Sequence, residues 1–115
     1  MTLEERIAFG APNTGPGAPT LGTKADSGKI MPAMILHDMA RAIEAVAEVA
    51  TLGAAKYSPD NWPRVPNAQY RYTNALMRHL LAEGHEPNDP ESGLPHAAHT
   101  AWNAIARLEL LLMNK

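Results

Sequence analysis

The sequence predicts an all-α protein of three main helices joined by Pro- and Gly-rich loops. Three observations predict it. Apolar residues recur at helical spacing in three long stretches. Aromatic residues make up only 5% of a chain rich in alanine, so there is little material for a sheet. Many of the 10 prolines sit in the short segments between those stretches, where helices must stop.

The elements follow in order. "GAPNTGPGAPTLG" is dense in Gly and Pro and can bury little. Residues 1–28 therefore read as an extended or mobile arm that closes on "KADSGK", and residues 29–115 as one helical domain. Leu36, Met39, Ala40, Ile43, Val46, Ala47, Ala50 and Ala54 set the first helix at about 32–56, with Pro32 in the first turn, where a missing N–H costs nothing. "YSPDNWPRVPN" carries three prolines and must be a loop. The second helix runs over about 68–83 and stops at Gly84, a C′ residue by type. "HEPNDPESGLP" is a second rigid loop, and the third helix covers about 95–113. Three helices make a thin bundle in a domain of this size, so oligomerisation is expected to complete the core.

At 115 residues with 45% apolar and 19% charged content, the chain has enough for one core. The formal net charge of −2 gives no broad cationic field, which argues against duplex nucleic acid or an anionic membrane as the main partner. The absence of cysteine, of a long apolar run and of a signal-peptide pattern fits a cytoplasmic protein.

The third helix poses the functional question. At about 100° per residue, His96, His99, Thr100, Asn103 and Arg107 share one face, with Ala101, Trp102, Ile105, Leu108 and Leu112 on the other. A face that meets only water is usually built from Lys, Glu, Arg and Gln, which are better helix formers. On the first helix, His37, Glu44, Glu48 and Thr51 form a second stripe, and Glu44 and Glu48 lie one turn apart; a solvated flank is the plain alternative. On the second, Tyr72, Leu76 and Leu80 define an apolar face with His79 and Glu83 on or beside it, while Arg71, Asn74 and Arg78 fall away. Helical bundles hold metals with inward carboxylates and imidazoles on facing helices. Glu44, Glu48, Glu83, His79, His96 and Asn103 are thus the candidate ligands. Carboxylates with retained water favour Mg²⁺ or Mn²⁺, and histidines admit Mn²⁺, Co²⁺ or Zn²⁺. The loops supply cations and aromatics: Lys24, Lys29, Lys56 and Arg64, with Tyr57, Asn61 and Trp62. Such a set suits a phosphorylated planar ligand.

"KADSGK", "LGAAKYSPDNW", "RHLLAEG" and "DPESGLPHAAHTAWNA", in this order, resemble the dATP/dGTP diphosphohydrolase N-terminal family of small, often phage-encoded proteins. The resemblance covers residues 24–112. It implies hydrolysis of a purine deoxynucleoside triphosphate, dGTP or dATP, to the monophosphate and diphosphate with Mg²⁺, Mn²⁺ or Co²⁺. The architecture is also similar to the all-α MazG-type nucleotide pyrophosphatases, which are usually dimeric. Those hold Mg²⁺ with ExxE and ExxD pairs; this chain has Glu44-xxx-Glu48, and His96-xx-His99 with Asn103. On this reading Glu48 or His99 serves as base, and Lys56 and Lys29 neutralise the leaving diphosphate. Lys24, Lys29, Lys56, Tyr57, Asn61 and Trp62 bind substrate. Two other readings compete. Adjacent His37 and Asp38 suggest an HD-type phosphohydrolase, although no histidine precedes His37. A non-enzymatic helical interaction module would use the histidines structurally.

Overall fold

Four α-helices and one 3-10 turn are the regular elements among the described residues of the computed structural model, which are Thr2 and residues 21–114. They are α1 (Ala33–Leu36), α2 (Ala40–Lys56), the 3-10 turn Trp62–Arg64, α3 (Ala68–Glu83) and α4 (His96–Met113). The all-α class holds. Most of the Gly/Pro-rich arm lies outside the described residues. The chain divides between residues 34 and 35 into two units. In the first, Lys29 N–H donates to the Asp26 carbonyl at 3.1 Å, Gly28 takes φ +81°, and Lys24 and Lys29 are exposed.

The first long helix departs from its expected span. A turn at residues 37–39 separates α1 from α2. His37 and Asp38 are weak helix formers, and Asp competes with the backbone for its own hydrogen bonds. α3 begins and ends where the pattern puts it. Asn67 before it takes a left-handed conformation (φ 56°), which Asn tolerates better than most residues. Gly84 is right-handed (φ −67°, ψ −16°), not the left-handed C′ residue its type suggests. The final carbonyls are satisfied by a tightened turn instead: Gly84 N–H donates to Leu81 O, and His85 and Glu86 N–H both donate to Ala82 O.

In the second unit α4 packs against both α3 and α2. Its buried residues are His96, Ala98, Asn103, Ala106 and Leu110. The polar face of the last helix is therefore the inner one. Ile105, Leu108 and Leu112, from its apolar side, are each about half exposed. Leu80, assigned to the apolar face of α3, is also half exposed. Val49, Ala98, Ala106 and Leu110 are the buried apolar residues among those described. Half-buried aromatics add to the cohesion. Trp102 meets Trp62 and Tyr72 edge-on at centroid distances of 6.4 and 5.3 Å, and the Tyr72 hydroxyl donates to the Trp62 carbonyl at 2.7 Å. Gln69 Nε2 donates to the Arg107 carbonyl at 3.1 Å and ties α3 to the middle of α4.

Candidate active site

The loop between α3 and α4 is built to hold side chains in place. Its ends are joined by a single antiparallel pairing of Asn88 and Pro95. Asp89 N–H donates to Leu94 O at 2.8 Å, Gly93 N–H to Asp89 O at 2.7 Å, and His96 N–H to Pro87 O at 2.9 Å. The last of these satisfies a donor that the start of α4 would otherwise leave open. Gly93 takes φ +75°, a conformation that favours glycine at the turn. Within the loop, Asp89 Oδ2 accepts the Ser92 N–H at 2.9 Å, and Ser92 Oγ accepts the Leu94 N–H at 3.1 Å.

This frame delivers Asp89 and Ser92 to three histidines. His79 from α3 and His96 from α4 face each other with their Nδ1 atoms 2.9 Å apart. His79 stacks on His99, with centroids 4.4 Å apart and planes 8° from parallel. His99 Nε2 lies 2.7 Å from Ser92 Oγ and 3.8 Å from Asp89 Oδ2. One ligand atom from each of His79, Asp89 and His96 lies within 4.8 Å of the other two. Burial lowers the affinity of His79 for a proton, with His99 adding to the effect, and burial likewise lowers that of His99. For Asp89, burial pushes upward, but the hydrogen bonds from Ser92 and the neighbouring His99 and His79 outweigh it and hold the carboxyl below its usual range. Neutral imidazoles beside an ionised carboxylate are the protonation states a metal requires. His96 is 3% exposed, and its Nε2 is buried without a hydrogen-bond partner among the described residues. The donor set fits a divalent cation.

His79, Asp89, Ser92, His99 and Asn103 line one wide groove. Its walls also carry Lys56, Arg64, Arg71 and Arg78, together with Tyr57, Asn61 and Trp62. Lys56 Nζ pairs with Glu91 Oε1 at 3.1 Å and lies 5.3 Å from the Tyr57 ring centre. The hydrogen bond to Glu91, with that to Tyr57, raises the Lys56 pKa and keeps the ammonium charged. Tyr57 is 65% exposed, so its ring is open to a ligand. Trp62 is half-buried, held by Trp102 and by the Tyr72 hydroxyl on its carbonyl.

The candidates from the sequence divide clearly. His79, His96, His99 and Asn103 come together, with Asn103 Nδ2 donating to the His99 carbonyl at 2.8 Å. Lys56, Tyr57, Asn61 and Trp62 share the groove with His79 and His99. Glu44, Glu48 and Glu83 are exposed on their helices, outside the group of three potential ligands found among the described residues. His37 and Asp38 are exposed in the turn between α1 and α2. Asp89, Ser92, Glu86 and Glu91 were not among the expected site residues. An Asp three residues before a Ser, the first followed by Pro90 and the second by Gly93, is the available signal: a rigid turn with a carboxylate fixed on its own backbone.

A family model described as dATP/dGTP diphosphohydrolase, N-terminal, matches residues 19–115. The dATP/dGTP diphosphohydrolase of Salmonella phage PMBT28 is 38% identical over 81 residues, which cover 70% of this chain and 26% of that protein. The chain thus spans about a quarter of its relative's length. No solved structure matches it.

Proposed function

Because the chain belongs to the dATP/dGTP diphosphohydrolase N-terminal family, we propose that its groove hydrolyses a purine deoxynucleoside triphosphate to the monophosphate and diphosphate. The observation that carries this reading is that one groove is lined both by His79, Asp89 and His99 and by Lys56, Arg64, Arg71 and Arg78. Water attacks the α-phosphorus, the bond from that phosphorus to the bridging oxygen breaks, and diphosphate departs.

Each residue has a part. His79, Asp89 and His96 would hold a divalent cation, which would supply Lewis-acid charge to the site. His99, oriented by Ser92 Oγ and by its stack on His79, takes the proton from the attacking water. Lys56, Arg64, Arg71 and Arg78 receive the triphosphate, and Lys56 offsets charge on the leaving group. Tyr57, Asn61 and Trp62 meet the base or sugar. A second copy of the chain covers the exposed Ile105, Leu108 and Leu112. A cytoplasmic location goes with such a substrate.

The test is incubation with dGTP or dATP and a divalent metal, followed by separation of products. The monophosphate and diphosphate are expected. Release of orthophosphate, or of tripolyphosphate with the nucleoside, would assign a different reaction. His99→Gln should lower kcat with little change in KM, and Lys56→Ala should raise KM.

A further inference from the structure

The chemistry of the donors bears on which ion the centre takes. Two imidazole nitrogens bound side by side at about 2.1 Å from one metal stand about 3 Å apart. His79 Nδ1 and His96 Nδ1 are 2.9 Å apart, already at chelating separation. Asp89 adds one carboxylate within 4.8 Å. Mg²⁺ prefers oxygen donors and retained water, whereas imidazole suits the later first-row dications.

Two independent features point the same way. His96 is almost wholly buried, and Glu86 Oε1 stands 3.6 Å from its otherwise unpartnered Nε2. A ligating histidine usually gives its second ring N–H to a carboxylate, which fixes the tautomer and turns the other nitrogen to the metal. The Asp89 carboxylate, for its part, is pinned by Ser92 N–H inside a cross-bonded loop. The three donors thus come from α3, the loop and α4 with their orientation set in advance, as a tight site requires.

We propose that His79, Asp89 and His96 form a two-histidine, one-carboxylate site for a first-row transition-metal dication, with Glu86 as the outer partner of His96, and that this site discriminates against Mg²⁺. The inference rests on the hydrolytic reading for the ion's use, but the site is tested without nucleotide. Chelator-treated protein is titrated with Co²⁺ and followed by visible absorption, and with Mn²⁺, Zn²⁺ and Mg²⁺ by calorimetry. One ion per chain is expected, with affinity rising from Mn²⁺ to Co²⁺ and Mg²⁺ below both. Asp89→Asn and His79→Gln should each abolish the Co²⁺ band while circular dichroism shows the helices intact. Glu86→Gln should weaken binding by about tenfold or more. Mg²⁺ binding as tight as Co²⁺, an unchanged Co²⁺ band in both ligand variants, or no bound ion would overturn the proposal. Co²⁺ bound at these residues with no turnover of dGTP would remove the hydrolytic reading and support the site. Turnover that survives Asp89→Asn and His79→Gln with Mg²⁺ alone would do the reverse.

Discussion

Ser92 makes more of the centre than its size suggests. Its N–H holds Asp89, its Oγ accepts the Leu94 N–H, and the same Oγ meets His99 Nε2 at 2.7 Å. Ser92→Ala keeps the first bond and removes the other two. A net hydrogen bond contributes about 1 kcal/mol, so a loss of about 2 kcal/mol in denaturant melts is expected. A drop in kcat should accompany it, because the His99 ring loses its anchor. Unchanged stability and kcat would show that this hydroxyl orients nothing. Tyr72 gives a second test, with a pH dependence. Burial raises its pKa above the ordinary phenol value of about 10. The neutral form is thus favoured in the folded protein. The stability this provides is complete below pH ~10 and is lost as pH rises through the folded-state value. Tyr72→Phe should cost about 1 kcal/mol at neutral pH through the lost bond to the Trp62 carbonyl. Above pH ~10 the gap between the two proteins should narrow. A constant gap in melts from pH 8 to pH 11 would contradict the assignment.

At the scale of elements, the loop between α3 and α4 depends on Gly93. Beyond the adjoining residues nothing lies within 4 Å of a Cβ built there, so only the backbone conformation opposes a side chain. Gly93→Ala should destabilise by about 1–2 kcal/mol, and by loosening the Asp89 carboxylate it should weaken Co²⁺ binding in step. Equal Co²⁺ affinity in the two proteins would mean that the turn does not position the ligand. This loop also marks the limit of what the sequence reveals. The long helices were legible because apolar spacing reports a helix, and α3 begins and ends at the expected residues. The odd polar face of α4 was legible too, since His96, His99 and Asn103 are poor choices for a face that meets only water. Asp89 was hidden because it is brought to His79 and His96 by a loop pairing, and no helical period carries that information. Glu44 and Glu48 drew attention by their spacing alone. Spacing places both carboxylates on one side of α2, but whether that side turns inward is decided by packing.

The whole molecule has an amphipathic last helix turned with its polar side inward. Among the described residues, α4 buries His96 and Asn103 and leaves Ile105, Leu108 and Leu112 about half exposed at i, i+3 and i+7. Fully burying a Leu or Ile contributes about 1.5–3 kcal/mol, so covering the exposed half of each should contribute about 1 kcal/mol. A symmetric pair would bury six such side chains, for about 6 kcal/mol in all. That exceeds only the low end of the roughly 4–15 kcal/mol that association costs in lost freedom, so a pairing through this face is weak and reversible. The chain should therefore self-associate in a concentration-dependent manner. Sedimentation velocity across a dilution series is expected to show the mean mass rising with concentration. Leu108→Glu with Leu112→Glu should hold the protein at the mass of one chain without loss of helical signal, because neither side chain belongs to the buried set. A wild-type protein that stays at the mass of one chain into the high micromolar range would rule out a second copy as the cover for this face. Since neither Leu108 nor Leu112 lines the groove that holds His79, Asp89 and His99, the double variant also tests whether the centre is complete in one chain: Co²⁺ affinity should be the same in the dissociated protein.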